Sequence, residues 1–114
     1  MHQMHFILDA AAGEPVHEPD LLTWARWFET HSLDRVLKTT ELFPPDGRSR
    51  VSTVFLGLNH NYWGGPPILW ETMVFGGPLD LETDRYSSRA EALAGHAEMV
   101  ARVIRASLKL IPLP

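Results

Sequence analysis

Apolar and polar positions recur along this chain on two periods, and the changes from one to the other mark its elements. His5-Phe6-Ile7-Leu8-Asp9 is a short apolar stretch that predicts a first strand, broken by Ala11, Gly13 and Pro15. Beyond Asp20, residues Leu21, Trp24, Ala25 and Phe28 fall at i, i+3, i+4 and i+7, the spacing of one helical face. They predict an amphipathic helix over 20–30 with Asp20 as its N-cap. Three turns do not persist alone in water, so this helix must dock. Trp27, at the flank of the stripe, widens that contact or faces a partner, the first reading being favoured.

Period two takes over next. Residues 35–42 are rich in β-formers, and Phe43-Pro44-Pro45-Asp46-Gly47 closes them with a turn. Residues 50–58 and 68–75 predict two further strands, most simply antiparallel neighbours, joined by the nine-residue connection 59–67. Gly76-Gly77-Pro78 and an acidic loop with Asp80, Glu82 and Asp84 then end the sheet segment. Ser88 with Glu91 three residues on is a capping box, and it opens a helix over about 88–108. Leu93, His96, Ala97, Val100, Val103, Ile104 and Ser107 form its apolar stripe, and Pro112 and Pro114 leave residues 111–114 a frayed tail. The reading is a single α+β domain over 1–110. It has a small antiparallel sheet of three to four strands, with an N-terminal and a C-terminal helix packed on one face.

The chain has 114 residues, enough for one core, and its 45% apolar and 21% charged content is that of a globular protein. A net charge of −4 makes nucleic acid an unlikely partner. The absence of cysteine removes disulfides, thiolate zinc sites and thiol catalysis. No apolar run approaches the roughly 20 residues of a membrane span, and the first residues lack the layout of a signal peptide. The expectation is a cytoplasmic protein that does not engage a membrane.

No phosphate-cradling loop, dinucleotide fingerprint, nucleophile elbow or His-Glu-x-x-His motif occurs, and no cofactor is expected. Two positions stand out. Glu71 alternates with Leu69, Met73 and Phe75, so one assignment of the strand's faces puts its carboxylate in an apolar surface. His96 sits on the apolar stripe of the last helix, preceded by Gly95, whose missing side chain fits the close approach of a backbone or ligand. Buried polar groups require partners, so Glu71 and His96 are expected to answer each other, with His60 as a third member. Such a pair would lose stability non-additively on mutation.

The leading reading of these three is a structural pair that fixes helix against sheet, His60 capping the loop through its ring. The second is a small-ligand pocket edged by Tyr62, Trp63 and Trp70. The third is a His60-Glu71-His96 metal site that activates water. Gly64-Gly65-Pro66-Pro67 reads as a turn, or as a rigid lip carrying Tyr62 and Trp63 toward a partner. Arg85 reads as an ion-pairing residue ahead of the helix cap, or as a carboxylate or phosphate ligand.

The segments Ser52-Thr53-Val54-Phe55-Leu56-Gly57-Leu58-Asn59-His60-Asn61, Gly65 to Gly77, Arg85-Tyr86-Ser87 and Glu91 to His96 resemble small proteins encoded by bacteriophages and prophages of high-GC bacteria. The similarity covers roughly residues 21–100, with Trp24, Trp27 and Phe28 matching the N-terminal helix. It carries over no catalytic residues. It implies an accessory phage protein, acting in the bacterial host by binding a host protein, such as a defence component, or a small-molecule signal. The expected binding residues are Asn59, His60, Tyr62, Trp63, Trp70, Glu71, Arg85 and His96. An exposed sheet edge leads to the expectation of a homodimer, and the alternative function is a small metal-dependent hydrolase.

Overall fold

The structure, a computed structural model, describes residues 2–43 and 48–108. Its elements in chain order are β1 (Phe6–Leu8), β2 (Pro15–His17), α1 (Leu21–Thr30), β3 (Val36–Leu42), β4 (Ser49–Phe55), β5 (Trp70–Phe75), β6 (Thr83–Tyr86) and α2 (Arg89–Leu108). The fold class is α+β. The strands β3-β4-β5-β6 form a four-stranded antiparallel sheet in sequence order, and β1 and β2 form a separate antiparallel hairpin. Of the turn expected over 43–47, residues 44–47 lie outside the described residues, as does the tail over 111–114.

Alternation decides which face of the sheet is covered. Val51, Thr53 and Phe55 of β4 and Trp70, Thr72 and Val74 of β5 are buried beneath α2, while Arg50, Ser52, Val54, Glu71, Met73 and Phe75 turn to the other side. In the β4–β5 register, Phe55 lies opposite Trp70, Thr53 opposite Thr72 and Val51 opposite Val74. The core therefore has three layers along the strands. Phe55, Trp70, Phe6, Leu69 and Ala92 make one apolar cluster, and Val51, Val74, Met99 and Val103 make another. Thr53, Thr72 and His96 form a polar layer between them. Full burial of side chains the size of Phe55 or Met99 contributes about 1.5–3 kcal/mol each.

Helix α2 begins where the capping box predicts: the Ser88 hydroxyl accepts from the Glu91 amide at 3.1 Å and donates to the Glu91 carboxylate at 2.9 Å. Its buried stripe is Ala92, His96, Met99, Val103 and Ser107, rotated from the predicted one, so that Leu93 and Ile104 lie at the exposed flank. Helix α1 is capped by Asp20, whose carboxylate accepts from the Thr23 amide at 3.0 Å. It docks through Trp24, Trp27 and Phe28, while Leu21 and Ala25 of the predicted face stay exposed. Trp27 meets Phe55 edge-on at 5.9 Å, on the face that α2 covers, which makes it a core contact.

Two expectations need correction. The acidic stretch is not a loop that ends the sheet: Thr83–Tyr86 is edge strand β6, with Arg85 opposite Glu71 and Asp84 opposite Thr72. Its charges are tolerated because an edge strand keeps them near water, and Arg102 of α2 reaches Asp84 and Glu82 at 3.4 and 3.3 Å. The first strand lies outside the main sheet. It is tied to the end of β4 by the Phe6 amide on the Gly57 carbonyl (2.9 Å) and the Asn59 amide on the Met4 carbonyl (2.8 Å).

Candidate functional site

The expected acid–imidazole centre does not form. Glu71 and His96 lie on opposite faces of the four-stranded sheet. The Glu71 carboxylate accepts from Arg85 Nε at 2.9 Å on the side away from α2, an ion pair between directly opposed residues of β5 and β6. His96 is 1% exposed beneath α2. Among the described residues, no group of three histidine, aspartate or glutamate side chains is placed to hold a metal ion, so His60, Glu71 and His96 form no metal site. The non-additivity expected of Glu71 and His96 loses its basis as well.

His96 instead joins threonines from three successive strands. Its Nε2 is 2.8 Å from Thr40 Oγ1 of β3, its Nδ1 is 2.7 Å from Thr53 Oγ1 of β4, and Thr53 is hydrogen-bonded in turn to Thr72 of β5. A neutral imidazole satisfies this chain in either tautomer, since each hydroxyl both donates and accepts. Burial holds the imidazole below its ordinary titration range, and the Lys38 ammonium on β3 adds to the effect. The Tyr86 hydroxyl is buried beside Thr72 without a formed hydrogen bond, and burial raises its pKa. Gly95 admits the Tyr86 ring: a Cβ there would lie 2.2 Å from ring carbons, so the close approach its sequence position signals is made by a side chain of the same molecule.

Trp70 is also a core residue, 1% exposed and 5.1 Å from Phe55, whereas Tyr62 and Trp63 are 65% and 96% exposed. The pocket expected between these three aromatics is therefore not assembled. Tyr62 and Trp63 stand together on the 59–67 connection, whose base is tightly tied. Asn59, 3% exposed, accepts from the amides of Asn61 (2.8 Å) and Ile68 (3.1 Å) and donates to the Gln3 carbonyl (3.0 Å). Asn61 accepts from the Trp63 amide (3.2 Å) and donates to the Pro66 carbonyl (2.8 Å). Gly64 and Gly65 take φ of +94° and +92°, a region that side chains rarely adopt.

The two asparagines, and not the His60 ring, close this loop; His60 contributes its backbone N–H to the Ile68 carbonyl at 2.9 Å. Asn61 was absent from the expected site residues, although the Asn-x-Asn spacing, with each side chain able to accept from the amide two residues on, carries the signal. Of those expected residues, the structure gathers Asn59, His60, Tyr62 and Trp63 in one loop. It puts Glu71 and Arg85 together on the open sheet face and Trp70 and His96 in the core.

The sequence matches no family model, and no curated protein or solved structure matches it. No described helix is long and apolar enough to cross a membrane.

Proposed function

We propose that this chain is a non-enzymatic binding protein, a phage or prophage accessory protein that engages a protein of the bacterial host through the 59–67 loop. The observation that carries the reading is Trp63: a tryptophan 96% exposed on a loop held by five side-chain hydrogen bonds from Asn59 and Asn61. An indole left in water gives the isolated fold nothing, while in an interface it is among the side chains most often responsible for affinity. The tied base lowers the ordering cost of association. Strands β3 and β6 are each paired on one side only, which supports self-association through a sheet edge as a further part of the reading.

The test is affinity capture from host lysate with the wild-type chain and with Trp63→Ala. Truncating a central interface tryptophan costs about 2 kcal/mol or more, roughly a thirtyfold loss of affinity. The expected result is a partner retained by the wild type and lost by the variant, with thermal unfolding of the variant unchanged. Identical capture by both proteins removes the loop from the interface and the proposal with it.

A further inference from the structure

Helix α2 has more apolar surface than the sheet covers. Beside its buried stripe stands a second apolar face, in which Leu93, Ala97, Val100 and Ile104 follow one another at steps of four, three and four residues. That spacing is the seam of a two-helix coiled coil. Ala94 and Ala101 border the seam, and small residues there let a second helix come close. The face is open among the described residues: Leu93 and Ile104 are 36% and 44% exposed, and Ala97 is exposed as well. Single exposed apolar side chains are ordinary, but a seam continuous over three turns is not.

The face has a definite place in the fold. On one flank of α2, Arg102 reaches Asp84 of β6 and Gly95 receives the Tyr86 ring. On the other, His96 Nε2 meets Thr40 of β3, and Val100 and Leu42 both pack on the second apolar cluster. The seam therefore lies on the β3 side, where α2 leans least on the sheet and where β3 has a free edge. That edge alone is a weak adhesive. The strand bulges between Val36 and Lys38, and Lys38 is exposed, both of which discourage strand pairing.

Charge decides what fits the seam. Off the apolar face, the first half of α2 carries Glu91 and Glu98, and the second half carries Arg102 and Arg105. A parallel copy of the helix would set like charges side by side. An antiparallel copy sets acid against base and opposes the two helix dipoles. A two-fold axis between Ala97 and Val100 places Leu93 against the partner's Ile104 and Glu91 near the partner's Arg105, and the reverse contacts follow by symmetry. We infer that the occupant of this face is a second copy of the chain, docked through an antiparallel α2–α2 contact beside β3. The inference rests on the self-association part of the reading above and gives it its apolar contact. It does not depend on the 59–67 loop.

The test measures the mass of the full chain by light scattering across micromolar concentrations, together with Leu93→Glu and Ile104→Glu. Each substitution occurs twice in a dimer and buries a charge in the seam. The expected result is a wild-type dimer whose Kd rises at least about a hundredfold in either variant, with the circular dichroism of the folded chain retained. Pulsed electron resonance supplies a measurement on surface positions that do not disturb the seam's large side chains. The chain has no cysteine, so Ala90→Cys and Ala97→Cys each give a unique site for a nitroxide label. At 1.5 Å of rise per residue, paired labels at 97 are expected to lie about 15 Å closer together than paired labels at 90. Trp63→Ala is expected to leave the dimer intact, which separates this contact from capture of a host protein. A wild-type chain still monomeric at millimolar concentration overturns the inference, whether residues 109–114 or another protein then cover the face. A dimer that survives both glutamates overturns it in favour of a strand edge, and equal label separations at 90 and 97 overturn the antiparallel contact.

Discussion

The buried imidazole makes stability depend on pH in a way that can be isolated. Protonating His96 breaks no hydrogen bond, because an imidazolium donates to Thr40 and Thr53 and Thr53 still donates to Thr72. The cost is that of a charge taken out of water, near the Lys38 ammonium, and it lowers the folded-state pKa below the ordinary 6.5. The unfolded chain therefore binds this proton first as the pH falls. His96 contributes its full stabilisation above about pH 6.5, and loses it on acidification from there down to its folded-state pKa. One proton sets a ceiling of about 1.4 kcal/mol per pH unit on the slope. Urea unfolding at half-unit steps from pH 7.5 to 5 measures it, and His96→Gln, which keeps an amide to donate and accept, subtracts all other titrating groups. The wild type is expected to lose stability faster than the variant below pH 6.5. Parallel curves for the two proteins would refute the account of a neutral, buried imidazole.

Three other outcomes are expected. Gly95→Ala gains about 1 kcal/mol of helix propensity but drives a methyl group into the Tyr86 ring, an overpacking cost of about 1–3 kcal/mol. It lowers the thermal midpoint in the wild type and raises it in a Tyr86→Val background; a rise in both would show that the ring moves freely. Glu71→Ala removes a half-exposed ion pair worth up to about 1 kcal/mol, and His96→Ala costs about 2–4 kcal/mol through its cavity and unpaired hydroxyls. Having no common partner, the two changes add within about 0.5 kcal/mol, so a larger coupling in denaturant titrations contradicts their placement on opposite faces. Asn59→Ala deletes three hydrogen bonds at a buried position, costs about 1–3 kcal/mol, and accelerates amide exchange at Asn61 and Ile68; unchanged exchange would mean that the loop holds its shape without this residue.

Periodicity was enough to find α1, α2, β4 and β5, and the Asp20 and Ser88 caps gave the helix starts because a cap is a local interaction. The inward position of His96 and the close approach at Gly95 were also legible, since both depend on a single helix face. The partners were not. Alternation on β5 says that Glu71 and Thr72 face opposite ways but leaves open which way is in. The tie is broken by Arg85 across the strand, visible only once 83–86 is recognised as a strand. That edge strand was hidden by its own charges, which read as a solvated loop. Thr40, Thr53 and Thr72 are far apart in sequence, and only the sheet register lines them up under one imidazole.

That alignment also limits how the long helix can lie on the sheet. An apolar stripe repeating every three or four residues would grip its support about equally well after sliding by one turn. Here such a slip would put Ala92 or Val100 over the threonines and strand their hydroxyls, at about 1–3 kcal/mol for each one left unpaired. The imidazole works as a key with a single lock, and α2 has one seat.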